Sequence, residues 1–335
     1  MGGRGQFIQP QCERRRGVPW FPAGIIRAVN APVPLNSRSS GKLALAINPA
    51  ASFGRLPKAG DQAAAFFRTA GFDVVVLKGD SHEALRKLVD QTAEAGIDAL
   101  VVVGGDGVVN LAANALVDRD IPLGIVPAGT GNDVARTLGL PLTDVAAACR
   151  LALDALEKGG RRIDLARTTS AAGTTCFAGV LSAGFDAAVN ERANSWRWPR
   201  GRNRYNLAMI RELASFRPIE YQVTADGRQW YQRAMLMSVA NGQSIGGGMK
   251  ITPEASPDDG ELDLFVVKPL SRLRFLAVFP KVFTGRHTTH PAVEIHRFRR
   301  VRLEAAGASA YADGERIAAL PVDVEVVPGG LRVLA

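Results

Sequence analysis

The stretch that most constrains this chain is an apolar run that ends in a glycine turn. Residues 99–103 read Ala-Leu-Val-Val-Val and lead directly into Gly104-Gly105-Asp106-Gly107. A short, uninterrupted apolar run with β-branched residues is typical of a parallel strand buried on both faces. Glycine has no Cβ atom, so the backbone can turn sharply and come close to a ligand. Because open α/β sheets bind ligands at the carboxyl ends of their strands, we expect Asp106 to lie in a binding crevice.

A helix is expected immediately after this turn, from about residue 109 to residue 117. Its N-terminal N–H groups would face the same crevice, which suits a phosphate group. The alternative is a plain glycine turn whose aspartate caps a helix. A second turn of the same kind favours the binding interpretation.

That second turn, Gly129-Thr130-Gly131-Asn132-Asp133, follows the next predicted strand, residues 122–127. If the two strands are neighbours, both turns face one cleft. Asp106 and Asp133 would then be placed to share a magnesium ion, which prefers carboxylate oxygens and water as ligands. The alternative is that Asp133 only caps its helix.

Strands and helices alternate through the first part of the chain, whereas short β-like runs separated by Asx-Gly turns dominate after residue 165. The first pattern predicts a doubly wound parallel sheet and the second an antiparallel β domain. We therefore predict a basic, disordered extension over 1–41, an α/β nucleotide-binding domain over 42–165 and a β-rich substrate domain over 166–335. The last segment is compatible with packing back on the α/β domain.

The net charge of +9 is concentrated at the amino end, where residues 1–41 hold six arginines and one glutamate. The rest of the chain is only mildly basic, which argues against nucleic-acid binding. No run approaches the ~18 consecutive apolar residues of a membrane-spanning helix. Three widely spaced cysteines form neither a metal motif nor a disulfide framework, which favours the reducing cytoplasm.

One segment of the β-rich part combines arginines with aromatic residues. Residues 192–205 contain five arginines, Trp196, Trp198 and Tyr205. Aromatic residues favour the membrane interface and basic residues favour anionic lipid, so we predict that this segment is a membrane-docking edge. The alternative is a solvated basic loop with its tryptophans folded inward.

Four motifs together resemble the diacylglycerol kinase catalytic family, which includes bacterial lipid kinases, sphingosine kinases and ceramide kinases. They are the two glycine turns, Pro253-Glu254-Ala255 followed by residues 259–263, and Asp313-Gly314-Glu315. The resemblance covers residues 42–335 and is greatest to soluble bacterial diacylglycerol kinases, especially those of actinobacteria. It implies an NAD-kinase-like ATP-binding domain followed by a β-sandwich, with the active site between them. It also implies ATP and Mg²⁺ as cofactors and phosphorylation of the primary hydroxyl of diacylglycerol to give phosphatidic acid.

The resemblance also implies roles for individual residues. The residues matching nucleotide-binding positions are Asn48, Gly54, Gly104, Gly105, Asp106, Gly107, Val108, Asn110, Thr130 and Asn132. Those matching the catalytic magnesium network are Asp106, Asp133 and Asp164, and a structural magnesium site matches Asp259 with the carbonyl groups of Ser256 and Glu261. Glu315 matches the general base, so the implied catalytic residues are Glu315 and Asp106.

Two positions depart from the family pattern. Val108 stands where a threonine is common, and Leu111 stands where a glutamate is common. These departures keep a catalytically silent nucleotide-binding regulator open as an alternative, beside NAD kinase and a kinase of a sphingosine- or ceramide-like lipid. The partner implied by the kinase interpretation is lipid at the inner face of the cell membrane, with peripheral association. A homodimer is compatible with the sequence.

Overall fold

A computed structural model describes residues 41–47, 58–184, 188–189, 192, 211 and 217–335 of the chain. Asn48 and Gly54 lie outside the described residues, and so do Trp196 and Trp198 of the predicted docking edge.

The first part of the chain forms a parallel sheet, as the alternation predicts. Its strands are β1 Lys42–Ile47, β2 Asp73–Lys78, β3 Ala99–Gly104 and β4 Leu123–Pro127, in the spatial order β2-β1-β3-β4. Every residue of β3 is buried. Apolar side chains cover both faces of the sheet, because Leu85, Val89 and Leu116 pack on one face and Ala63 and Phe67 on the other. The predicted doubly wound arrangement is therefore confirmed.

Five helices follow the strands of this part. They are α1 Ala59–Thr69, α2 His82–Glu94, α3 Asp106–Leu116, α4 Asp133–Thr137 and α5 Val145–Glu157. Ser81 caps α2 by accepting a hydrogen bond from the Ala84 N–H at 3.1 Å, as serine does at many helix starts. The predicted start of α3 at residue 109 was wrong. The helix begins at Asp106, because the N–H groups of Val108 and Val109 already donate to the Gly105 carbonyl.

The second part is built from antiparallel strands. They are β5 Arg161–Ser170, β6 Gly173–Phe177, β7 Val180–Gly184, β8 Ile219–Ala225, β9 Arg228–Ala234, β10 Leu236–Ala240, β11 Leu262–Val267, β12 Val293–Phe298, β13 Arg300–Glu304, β14 Ser309–Ala312, β15 Glu315–Ala319 and β16 Val322–Val333. Six of them form one sheet in the order β12-β11-β10-β7-β14-β15. A buried cluster that includes Phe177, Tyr221 and Leu264 forms the core of this part.

Residues 173–184 form two strands, β6 and β7, rather than one continuous strand. The β-structure is interrupted between them because the Gly179 backbone packs against the Asp313 carboxylate. A Cβ atom on Gly179 would lie 2.4 Å from the Asp313 Oδ1 atom, so only glycine fits there. This interruption places the start of β7 next to α4, because the position of a Gly179 Cβ atom lies 3.5 Å from the Val134 Cγ2 atom.

The last strand connects the two parts. β16 pairs in parallel with β4 through Val333 and Leu123, and antiparallel with most of β5. The predicted boundary between residues 165 and 166 falls inside β5, and it stays a prediction. One helix of the second part, α6 Arg272–Val278, is followed by 3₁₀ turns at Phe279–Thr284 and Arg286–Thr289. Among the described residues, no helix is both long and apolar enough to span a membrane.

Candidate active site

The two glycine turns touch each other backbone to backbone. β3 and β4 are neighbours in parallel register, so Gly104 lies beside Pro127 and both turns leave the sheet at the same edge. A Cβ atom on Gly129 would lie 2.3 Å from the Gly105 Cα atom, and one on Gly105 would lie 3.0 Å from the Gly129 Cα atom. This contact therefore requires glycine at position 129, whereas a Cβ atom at position 105 would be a tight contact.

We expect Gly129→Ala to lower the free energy of unfolding by at least about 2 kcal/mol, because an added methyl group cannot share space with the Gly105 backbone. ATP affinity is expected to fall with it. Gly107→Ala is the matched control for stability, since its added Cβ atom would meet only the Glu315 Oε1 atom, at 3.7 Å. Equal melting temperatures for the two variants, measured by differential scanning calorimetry, would contradict the contact.

Asn132 holds the second turn in shape. Its backbone is left-handed, with φ of 54°. The side-chain oxygen accepts a hydrogen bond from the Gly129 N–H at 3.0 Å, and the side-chain nitrogen donates to the Gly129 carbonyl at 3.1 Å. Both ends of the amide are thus committed to the turn itself. Thr130 is exposed and lines the cleft described below.

Asp106 and Asp133 flank Gly131. The position that a Gly131 Cβ atom would occupy lies 2.7 Å from the Asp106 Oδ2 atom and 3.2 Å from the Asp133 Oδ2 atom. Asp106 Oδ1 accepts a hydrogen bond from the Val134 N–H at 3.0 Å. Burial, reinforced by the charge of Asp133, raises the pKa of Asp106 to about 6. The prediction that both carboxylates face one cleft is confirmed by the geometry.

Asp133 ties the two parts of the chain together across the cleft. Its carboxylate accepts hydrogen bonds from the Ser244 hydroxyl at 3.0 Å, the Gly247 N–H at 2.6 Å and the Gly248 N–H at 2.8 Å. Arg136 lies 3.8 Å from the same carboxylate. These donors come from a loop more than a hundred residues away along the chain, so sequence spacing gave no signal for them.

Glu315 reaches the first glycine turn from the far end of the chain. Its Oε1 atom lies 3.7 Å from the position of a Cβ atom on Gly107, and the side chain is exposed. The turn between β14 and β15 aims it there. In this turn Asp313 has a left-handed backbone with φ of 48° and Gly314 a φ of 89°.

Asp313 is a residue whose importance the sequence analysis missed. One carboxylate oxygen accepts hydrogen bonds from the N–H groups of Gly179 and Val180, both at 3.1 Å. The other accepts from the Ala178 N–H and from the Asn110 side-chain nitrogen, both at 3.2 Å. Burial raises the pKa of Asp313, whereas these hydrogen bonds favour its ionised form. Asp313 thus fixes the Glu315 turn against α3 and the start of β7.

The side chains of Val108 and Asn110, two candidate nucleotide-binding residues near the first turn, make their contacts within the protein interior. The Val108 side chain is 1% exposed and its N–H donates to the Gly105 carbonyl at 3.1 Å. The Asn110 side-chain nitrogen donates to the Cys176 carbonyl as well as to Asp313. Leu111, which departs from the family pattern, is 2% exposed within the core. The side chains of Val108 and Asn110 are thus held by the protein itself, and their match to nucleotide-binding positions stays a prediction.

The Asp164 carboxylate is hydrogen-bonded to backbone groups of the second part of the chain. It accepts hydrogen bonds from the Gly260 and Gly329 N–H groups, both at 2.7 Å, and its place in the magnesium network stays a prediction. Asp259 sits in the same turn as Gly260, where its Oδ1 atom accepts from the Glu261 N–H at 3.1 Å. Within the described ranges, no three or more His, Cys, Asp or Glu side chains are grouped to hold a metal ion. Asp164 is therefore a support for the turn at 256–261.

The cleft between the turns encloses about 380 Å³ of space accessible to water. Its lining residues come from both parts of the chain and include Asp106, Thr130, Gly131, Asp133, Gly179, Gly247, Asp313 and Gly314. A narrow apolar cavity adjoins it. The two spaces share Ile245, Met249 and Phe279 in their walls. Two glycine turns and two carboxylates, next to an apolar cavity, fit the class of metal-dependent phosphotransferases that act on an apolar acceptor.

The comparisons with known proteins agree with this class. Residues 42–168 match the family model described as the diacylglycerol kinase catalytic domain, and residues 179–335 match the YegS C-terminal NAD kinase beta sandwich-like domain. The chain is 40% identical to a diacylglycerol kinase from Mycobacterium tuberculosis over 90% of its own length and 97% of that protein. It is 26% identical to a diacylglycerol kinase from Bacillus subtilis over 72% of its length and 78% of that protein.

The fold has solved counterparts. A diacylglycerol kinase from Bacillus anthracis superposes with a TM-score of 0.67 and 23% identity, covering 89% of this chain and 98% of the other. The chain belongs to the diacylglycerol kinase catalytic family and is a lipid kinase, which uses ATP. The predicted α/β plus β-sandwich architecture is confirmed.

Proposed function

We propose that this kinase transfers the γ-phosphoryl group of ATP to the primary hydroxyl of diacylglycerol, giving phosphatidic acid. The observation that carries this proposal is that the cleft and the apolar cavity lie side by side, with Ile245, Met249 and Phe279 in the walls of both. An acceptor whose hydroxyl lies in the cleft can therefore place an acyl chain in the cavity. NAD, the polar acceptor of the alternative interpretation, has no apolar group to fill it.

The residues around Asp106 fit a magnesium ion. Asp106 is half-buried beside a second carboxylate, and no Lys or Arg in the described part of the chain forms an ion pair with it. A divalent cation would neutralise this pair, and Mg²⁺ takes such oxygen ligands readily. When bound, it neutralises charge on the phosphates during transfer. We propose that Asp106 holds it, with Asp133 beside it.

The chain's own residues then perform three tasks. Glu315 accepts the proton of the lipid hydroxyl, whose oxygen forms the new bond to the γ-phosphorus as the bond to ADP breaks. The glycine turns approach the phosphates with backbone N–H groups, since no Cβ atom keeps them at a distance. Asp133 holds the loop at 244–248 over the cleft. Phosphoryl transfer depends mostly on such positioning.

The direct test is an acceptor panel with radiolabelled ATP and Mg²⁺. Diacylglycerol is expected to give labelled phosphatidic acid, at a higher kcat/KM than sphingosine, ceramide or NAD. Labelling of ceramide or sphingosine in preference to diacylglycerol would replace the proposed acceptor with another lipid. ATP binding without transfer to any acceptor would instead favour the silent regulator.

The cavity itself can be tested by narrowing it. Leu236 lines the apolar cavity and does not line the cleft. We expect Leu236→Trp to raise KM for a long-chain diacylglycerol about tenfold, equivalent to about 1.4 kcal/mol, because the larger ring occupies acyl-chain space. ATP affinity is expected to stay unchanged. An unaltered KM, measured with dioleoylglycerol in mixed micelles, would show that the acyl chain lies elsewhere.

A further inference from the structure

Three of the four exposed large apolar side chains among the described residues lie in one segment. Leu273 is 81% exposed, Leu276 48% and Phe283 48%, whereas the remaining one, Tyr231, lies apart on β9. Leu273 and Leu276 are three residues apart on α6, so they share one face of that helix. We call Leu273, Leu276 and Phe283 the apolar patch. Exposure of apolar side chains to water is unfavourable, so an apolar patch of this kind indicates a contact surface.

The segment that carries the patch is basic and has no acidic residue. Residues 264–293 contain no Asp or Glu. Arg272, Arg274, Lys281 and Arg286 are all exposed. Within the described residues, none of these four forms an ion pair with a carboxylate. The segment therefore presents positive charge and apolar side chains together, which suits an anionic lipid surface and would repel a basic protein partner.

The opposite face of the same segment closes the apolar cavity. Phe275, Val278, Phe279 and Val282 line that cavity, and Phe279 and Phe283 also line the cleft. Phe275 stacks on Phe279 with ring centres 6.1 Å apart. The segment thus has an exposed side with the apolar patch and a buried side that forms the wall of the cavity proposed for an acyl chain.

We propose that α6 and the following 3₁₀ turn, residues 272–284, form a docking surface that inserts into an anionic phospholipid bilayer. Leu273 and Leu276 enter the acyl region while the four basic residues contact anionic headgroups. This brings the cavity wall to the membrane, where a lipid acceptor can pass into the cavity without crossing water. The lipid acceptor rests on the proposed function, whereas membrane binding does not depend on it. The surface lies apart from the predicted docking edge at 192–205.

The test measures binding of the full chain to vesicles in the absence of ATP. Wild type is expected to co-sediment with mixed phosphatidylglycerol and phosphatidylcholine vesicles and less with phosphatidylcholine alone. Leu273→Ser combined with Leu276→Ser is expected to weaken partitioning at least about tenfold. Arg272→Glu combined with Arg274→Glu is expected to abolish the preference for anionic vesicles. Tyr231→Ser is the matched control, because it also replaces an exposed large apolar side chain with serine, but on β9 and away from the patch. It is expected to bind vesicles as wild type does.

Two results would overturn the docking surface. The first is wild-type vesicle binding by both double variants. The second is loss of a wild-type dimer in the Leu273/Leu276 variant, seen by analytical ultracentrifugation, with vesicle binding intact, since the patch would then join two copies of the chain. Turnover of a short-chain, water-dispersed acceptor by this variant is expected to match wild type. Failure of every acceptor with normal vesicle binding would refute the proposed function and leave the docking surface standing.

Discussion

Asp106→Asn is expected to lower kcat at least about 10³-fold and, at the same time, to stabilise the protein in the absence of metal. The loss of activity follows from the proposed role of Asp106 as the magnesium ligand, since metal coordination stabilises charge on the transferring phosphate by several kcal/mol. The gain in stability has a separate cause. Burial and the neighbouring Asp133 make the ionised side chain unfavourable in the folded state, and raise its pKa to about 6.

The sign of this effect fixes its pH dependence. Because the folded-state pKa of Asp106 exceeds the usual aspartate value of 3.8, protonation favours the folded state. The stability that the protonated group contributes is complete below about pH 4 and is lost as the pH rises through about 6. Above pH 7, the variant should therefore exceed wild type in free energy of unfolding by about 1–3 kcal/mol. Near pH 4 the difference should vanish.

Urea unfolding in the presence of a chelator, at pH 4 and pH 7.5, measures this difference. Asp154→Asn, at an exposed position on α5, is the matched control and is expected to leave both stability and kcat unchanged. Addition of Mg²⁺ is expected to raise the melting temperature of wild type but not that of Asp106→Asn. Near-normal turnover by the Asp106 variant would remove this residue from the chemistry.

Glu315→Gln is expected to lower kcat by about 10²–10⁴-fold, the range that a positioned general base contributes. Glutamine keeps the size of the side chain but cannot accept the hydroxyl proton. The side chain is exposed, so folding should be unaffected. ATP affinity should also be retained, because the change removes proton transfer and leaves the glycine turns intact.

Single-turnover kinetics and equilibrium binding of an ATP analogue separate these effects for Glu315→Gln. Glu83→Gln, on the exposed face of α2, serves as the control. Turnover within threefold of wild type would exclude Glu315 as the base. A parallel loss of ATP binding would indicate that Glu315 supports the turn at Gly107 rather than the chemistry.

The sequence predicts the parts of this site that depend on local pattern. The buried run before Gly104 predicts β3, and the second glycine turn predicts a neighbouring strand end. From these two features it follows that Asp106 and Asp133 share a cleft. The start of α3 was misplaced because the helix begins inside the glycine turn, where pattern alone does not distinguish a loop from a first helical turn.

The parts that could not be predicted depend on contacts between distant residues. Asp133 accepts hydrogen bonds from the loop at 244–248. Asp313 accepts hydrogen bonds from the backbone between β6 and β7, including the Gly179 N–H. Asp164 shares its residue type with Asp106 but binds the backbone of Gly260 and Gly329. Both residues are aspartates. Only the tertiary structure shows that the carboxylate of Asp106 faces the cleft and that the carboxylate of Asp164 supports a turn.

A crystal structure with a non-hydrolysable ATP analogue and Mn²⁺ in place of Mg²⁺ tests the central claim most directly. The anomalous signal of Mn²⁺ locates the metal without ambiguity. We predict that the metal is bound to Asp106 and that the γ-phosphate lies between this metal and Glu315. A metal held only at the 256–261 turn, or a nucleotide whose phosphates lie away from both glycine turns, would contradict the account.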